Sequence, residues 1–363
     1  MRYHRIALTL VCAVCVLALG VRIAHSQENA SSSTAQVSMV ITDQALNDTD
    51  EMTVLRAENV QVRQGRTPLK VNQLIPATGS NAASQVFILI DETTYPQGVG
   101  NNLNELRDFI NAQPPSTAVG VAYMSNATVQ IAQNLTNDHA LAVKAIRLPR
   151  GTLSAMDSPY LSLISLVNSW PQQKVRRQVL IFTDGIDRLR GERNVPTPTR
   201  SRGGLGPGVT PTPSRGAGAA TRVPAPGSTA LTSTPMGTMP TISIDTERTS
   251  NLCQRFGVIV HGIYVTGVGR LGRNAWEVQL GQAGIGRIAD ETGGEYFSLG
   301  TREPISFRPF LDRLQRIFDN QYFLVFEATP RRNEGLQRVN ISTDLPNFEI
   351  SAANNVWVPA AER

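Results

Sequence analysis

Histidine and cysteine are scarce in this chain of 363 residues, four of the first and three of the second. Their placement makes them scarcer still. His4, His25, Cys12 and Cys15 all lie in residues 1–26, which have the pattern of a secretion leader. Arg2 and Arg5 come first, an apolar run from Ile6 to Leu19 follows, and Ala24-His25-Ser26 forms a small-x-small cleavage site. Removal of the leader keeps Cys253 alone, which excludes an intrachain disulfide. It keeps His139 and His261, too few for a zinc site of histidine and cysteine. His261 falls inside the apolar run Val258 to Val265 and reads as a structural strand histidine. Neither Cys12 nor Cys15 follows a small residue, so lipid attachment is not expected.

Charge is also in short supply. The formal net charge of +5 falls to +2 when Arg2, Arg5 and Arg22 leave with no acid. The remaining basic residues are scattered, and nothing in them predicts nucleic-acid binding. The leader predicts export, to the periplasm or beyond. Membrane contact is expected only if the leader stays uncleaved, its apolar run lengthened through Val21 and Ile23. Acids vanish altogether between Val195 and Pro240, where nine prolines and eight glycines gather. Such a stretch cannot bury enough apolar surface to offset its chain entropy. Residues 193–241 therefore read as a disordered insertion inside one domain, because strand-like runs flank it on both sides.

What is present is a set of buried strand signals that end in acids. Val86-Phe-Ile-Leu-Ile-Asp91 is apolar and β-branched, then stops at Asp91-Glu92-Thr93-Thr94-Tyr95. Val179-Leu-Ile-Phe-Thr-Asp184-Gly185 repeats the pattern. Fully apolar runs of this kind are strands of a parallel sheet covered on both faces. Further strands are expected at 118–124, 127–132, 258–265, 295–298 and 321–328. Helices are expected at 101–112, 137–147, 158–169, 242–256, 275–292 and 304–319. The alternation predicts an α/β fold, Rossmann-like and doubly wound, with a mostly parallel sheet between helices on both faces. Ser125-Asn126 predicts an antiparallel edge hairpin. After a polar leader at 27–36, residues 37–80 carry short β signals, and so do residues 329–363. Neither segment is large enough for its own core. Together they predict one small β-subdomain.

Open α/β sheets bind ligands at their carboxyl edge. Asp91, Thr93, Thr152 and Asp184 are all expected there, a set of hard oxygens suited to Mg²⁺ or another divalent cation. At these residues the chain resembles the von Willebrand factor A-like domain, over about residues 84–328, in the form found in exported bacterial proteins of acidobacterial type. Asp91 and Thr93 match the start of the family's Asp-x-Ser-x-Ser loop, Thr152 its distant threonine, and Asp184 its Thr-Asp-Gly acid. Ile288-Ala-Asp-Glu-Thr-Gly-Gly-Glu-Tyr-Phe297 matches its late helix-turn-strand. The resemblance implies a metal ion-dependent adhesion site that binds a protein partner through a carboxylate, with no small-molecule substrate and no enzymatic turnover. Tyr95 stands where the family has a second serine, which makes the set imperfect. A degenerate site, with contacts made by the insertion instead, is the alternative; a metal-assisted hydrolase is a more distant one. Gly267-Val-Gly-Arg-Leu-Gly272 imitates a dinucleotide fingerprint but lacks the acid at a following strand end. Arg188, Arg190 and Arg193 read as a solvated loop.

Overall fold

The computed structural model describes residues 34–44, 55–171, 173, 175–191, 243–269, 275–346 and 348–361. The leader at 1–26 and the insertion expected at 193–241 lie outside the described residues. No described helix is long and apolar enough to cross a membrane.

A six-stranded sheet forms the centre. Its strands are β5 (Ser84–Asp91), β6 (Thr117–Ser125), β7 (Thr128–Thr136), β8 (Arg176–Thr183), β9 (Val258–Tyr264) and β10 (Tyr296–Phe297). They lie in the order β10-β9-β8-β5-β6-β7, parallel except for β7, which pairs antiparallel with β6. Asn126 and Ala127 turn that hairpin with φ of 51° and 57°, the doubly positive pair of a two-residue hairpin loop. The chain runs outward from β5 through β6 and β7, then returns to build the other half from β8. The topological switch therefore falls between neighbours β5 and β8, where a crevice opens at the carboxyl ends.

Side-chain alternation along β5 serves two cores. Val86, Ile88 and Ile90 face one layer, which holds α2 (Leu103–Ala112), α3 (His139–Ala145) and α8 (Arg308–Asp319). Phe87 and Leu89 face the other, with α4 (Pro159–Ser169), α6 (Ile244–Phe256) and α7 (Ala275–Thr292). The labels α1 and α5 belong to Pro96–Gly100 and Arg188–Gly191. Each apolar side chain fully buried here contributes roughly 1.5–3 kcal/mol, which fixes the register of the central strand. Helix limits follow local chemistry. Ser158 Oγ accepts from Leu161 N at the start of α4, with Pro159 in the first turn. Gly257, at φ 62°, stops α6.

The chain ends meet. β1 (Ala35–Asp43) pairs with β14 (Ile350–Ala352) and β2 (Val60–Gln64) with β13 (Asn340–Thr343), while β12 (Gly335–Arg338) and β15 (Asn355–Val358), both from the C-terminal segment, pair with each other. One strand lies elsewhere than expected. β11 (Gln321–Ala328), read as part of the central alternation, instead sits between β1 and β4 (Val71–Pro76) in an antiparallel sheet. Its burial alternates, unlike that of β5, because only one of its faces meets the third core, around Leu324 and Phe326.

Candidate functional site

Asp91 closes β5 and Asp184 follows β8, so the two strands at the switch point deliver one carboxylate each to the same crevice. Both are buried, at 3% and 2% exposure. Asp91 Oδ1 accepts from Thr93 N at 2.9 Å, and Oδ2 accepts from Thr183 Oγ1 at 2.6 Å. Asp184 Oδ1 accepts from Ile186 N at 2.9 Å, and Oδ2 takes Arg188 Nη2 at 2.7 Å. Arg188 begins α5 and is itself 8% exposed. It is not the solvated loop residue expected from the sequence. The Gly185 turn folds α5 back so that a residue four places on reaches the acid.

Burial pushes Asp91 up from 3.8 to about 6; the neighbouring Asp184 adds to the rise, and Arg188 and the hydrogen bonds of Thr183 and Thr93 oppose it. Burial disfavours the Arg188 charge, but Asp184 and Asp91 outweigh it and hold its pKa above the ordinary value.

A loop closes over these groups. After β9, residues 265–269 run back across the edge: Tyr95 N donates to Thr266 O at 2.9 Å, and Val268 N donates to Thr93 O at 2.7 Å. A bridge between Thr94 and Gly267 completes the seam. Gly267 is needed for this approach, since a Cβ there would come within 2.0 Å of Asp184 Oδ2. The Gly-x-Gly pattern thus belongs to a cover over a carboxylate rather than to a nucleotide loop. Its third glycine, Gly272, lies outside the described residues. Gly185 (φ 73°) and Gly281 let the backbone of α7 approach the same turn; a Cβ at Gly185 would lie 2.2 Å from Gly281 O.

The four residues expected to share an ion are placed unequally. Asp91, Thr93 and Asp184 lie together under the cover. Thr93 Oγ1 is buried and has no hydrogen-bond partner among the described residues. Thr152 is exposed, and it meets the group only through its backbone, whose N–H donates to Glu92 O at 3.2 Å. Tyr95 precedes α1. Among the described residues no three His, Cys, Asp or Glu side chains cluster as metal ligands would. As arranged, these residues do not fit a divalent ion that must also accept a partner's carboxylate. Every oxygen of Asp91 and Asp184 already has a donor, and a loop covers them. A dication on Asp184 would lie roughly 5 Å from the Arg188 guanidinium, where repulsion at an effective dielectric near 20 is on the order of 7 kcal/mol.

Sequence order placed Glu92 beside Asp91, but its work is different. It is 2% exposed and receives Arg147 Nη1 at 3.2 Å, Arg147 Nη2, and Arg150 N at 2.6 Å. Arg147 also lies 3.8 Å above the Tyr123 ring. A buried carboxylate thereby anchors the loop that carries Thr152.

The strand order β7-β6-β5-β8-β9-β10, parallel except for the edge strand β7, and acids at the carboxyl ends of the two central strands settle the fold. It is von Willebrand factor A-like.

No protein-family model matches the chain, and no curated protein matches it. Solved structures similar to it include an aerotolerance-related membrane protein from Bacteroides fragilis NCTC 9343, 12% identical over 65% of this chain and 99% of that one, with a TM-score of 0.37. The SpRpn10 VWA domain is 10% identical over 64% of this chain and 95% of its own, with a TM-score of 0.33. The ArnB paralog VWA2 from Sulfolobus acidocaldarius is 8% identical over 90% and 76%, with a TM-score of 0.34. In this von Willebrand A-like domain, Arg188 and the cover at 265–269 are the site components that motif matching misses, while Thr183, the threonine of the Thr-Asp-Gly turn, serves by bonding Asp91. The one sequence signal for Arg188 is its spacing of four from Asp184.

Proposed function

We propose that this chain is an exported, non-enzymatic protein-binding module that presents the outer rim of its carboxyl edge to a protein partner without a bridging divalent ion. The supporting observation is the loop at 147–157. Glu92 anchors its base, while Leu148, Leu153 and Met156 stand 47%, 45% and 54% exposed. Leu148 lies over Gly100 of α1, Gly151 meets Pro96 and Val268, and Leu153 lies over Gly269, so the apolar rim continues onto both neighbouring loops. An apolar rim on an anchored loop suits a contact surface. Arg150, with its side chain 60% exposed, adds a cation beside it. A partner segment mixing apolar and acidic residues matches both.

The test is affinity capture from envelope extract with the mature protein and with a Leu153→Ser/Met156→Ser double variant, each with and without chelator. The reading expects partners that the double variant loses and chelator leaves in place. Capture that chelator abolishes, or that survives in the double variant, defeats it. In the second case, deletion of residues 195–240 reports whether the insertion makes the contact. That alternative is favoured by the Ser243 Oγ bond to Asp187 Oδ2, 3.0 Å, which ties the two flanks of the segment together beside the edge.

A further inference from the structure

We infer that Arg188 is the resident cation of this edge: its guanidinium takes the charge position of a divalent ion, and loss of that charge opens Asp91, Thr93 and Asp184 to divalent cations. The inference deepens the ion-independent reading above, but its test involves no protein partner, so either can fail alone.

Three observations carry it. First, the contact is buried on both sides: the side chains of Arg188 and Asp184 are 7% and 3% exposed, 2.7 Å apart. Two buried acids at a switch point need a compensating charge. Arg188 contacts Asp184 directly, and its charge also acts on Asp91. Second, its main chain is fixed independently of the acids. Arg188 N and Leu189 N both donate to Asp157 O, at 3.0 and 3.1 Å. The Asp157 carboxylate is in turn held by Asn126 N at 2.8 Å and Ser154 N at 2.6 Å. A shortened side chain at 188 would therefore leave α5 in place and vacate only the guanidinium's volume. Third, Thr93 Oγ1 is an oxygen donor with no hydrogen-bond partner among the described residues. It stands beside Asp91, buried to 1% exposure, where a hard cation would accept it and Arg188 does not reach it.

The chemistry differs from that of an ion in one respect. A guanidinium is a fixed donor with no coordination position to offer, so it neutralises the crevice but cannot bridge to a second carboxylate. With Arg188 in place the edge keeps its shape and gives up metal-dependent adhesion.

The experiment measures thermal melting and titration calorimetry with Mn²⁺ and Mg²⁺ on the mature protein, Arg188→Ala, Arg188→Lys and Arg188→Ala/Asp91→Asn. The wild type should melt at the same temperature in Mn²⁺ and in chelator. Arg188→Ala should melt lower, recover on addition of Mn²⁺, and bind Mn²⁺ at least about tenfold more tightly than the wild type. Arg188→Lys keeps the charge and should not respond. The double variant should lose the recovery. If Arg188→Ala folds only with Mn²⁺ present, that is the same recovery in stronger form. Wild-type melting that rises with Mn²⁺, or an Arg188→Ala variant indifferent to Mn²⁺ whether folded or unfolded, overturns the inference.

Discussion

His261 gives the fold an acid sensitivity whose sign follows from the structure. It is fully buried in β9. Its Nδ1 accepts the amide of Glu295 at 3.2 Å, so the ring proton sits on Nε2, which donates to Gln178 Oε1 at 3.0 Å. Burial pushes its pKa down from 6.5 to about 3. Above pH 6.5 both the folded and the unfolded chain hold a neutral ring, and its contribution to stability is fully present. Below it the unfolded chain takes a proton and the folded one does not. Stability should fall by about 1.4 kcal/mol for each pH unit, on the order of 5 kcal/mol by pH 3. Asp91 acts in the opposite direction. Its pKa is raised to about 6, chiefly by burial, so its contribution is fully present below 3.8 and lost as pH rises through 6. That is worth on the order of 3 kcal/mol. Between about pH 6 and pH 4 the two slopes oppose one another. Urea unfolding of wild type, His261→Gln and Asp91→Asn at a series of pH values separates them. From pH 6.5 to 4.5 the stability of the wild type relative to His261→Gln should drop by about 2 kcal/mol. Relative to Asp91→Asn it should rise by about 2 kcal/mol. Profiles that run parallel for wild type and His261→Gln would refute the reasoning.

Gly185→Ala should destabilise the domain by roughly 3 kcal/mol or more, since φ is 73° and the new methyl meets the Gly281 carbonyl; a melting temperature within a degree or two of wild type contradicts this. Glu92→Gln removes the charge that holds Arg147 and Arg150 and should cost about 3 kcal/mol, with proteolysis newly focused on residues 147–157. Cutting elsewhere first would show that Glu92 does not anchor that loop. Leu153→Ser, on an exposed side chain, should leave stability within about 0.5 kcal/mol and weaken partner capture.

Much of the fold was legible because burial leaves a mark on composition. β5 and β8 carry apolar centres, Val86 to Ile90 and Val179 to Phe182, because helices cover both faces of the sheet there. The helix starts at Ser158 and the stop at Gly257 are local chemistry and could be read locally. β11 was misplaced for a reason equally visible afterwards. Its Gln321-Tyr-Phe-Leu-Val-Phe-Glu-Ala328 alternates burial along the strand, the pattern of an antiparallel strand with one covered face, and its position after a helix concealed that.

The site was less legible, because its decisive contacts join segments remote in sequence. Thr93 lies beside Asp91 in any reading, but the cover over both comes from residues 265–269, past the whole insertion. Asp184 and Arg188 are four apart, a spacing that implies contact in a regular helix. Here a glycine turn precedes a short helix, so spacing alone predicted nothing about the pair. A motif records which side chains a crevice receives. It does not record whether the crevice is open or which cation has already filled it, and both are set by Gly267 and Arg188, outside the motif. Substitution at those two positions should therefore alter cation binding more than substitution at Thr152, which contributes only a backbone N–H to the loop. Calorimetry with Mn²⁺ on Thr152→Ala in the Arg188→Ala background checks this: affinity should match that of Arg188→Ala alone. A loss of tenfold or more would place Thr152 among the ligands after all.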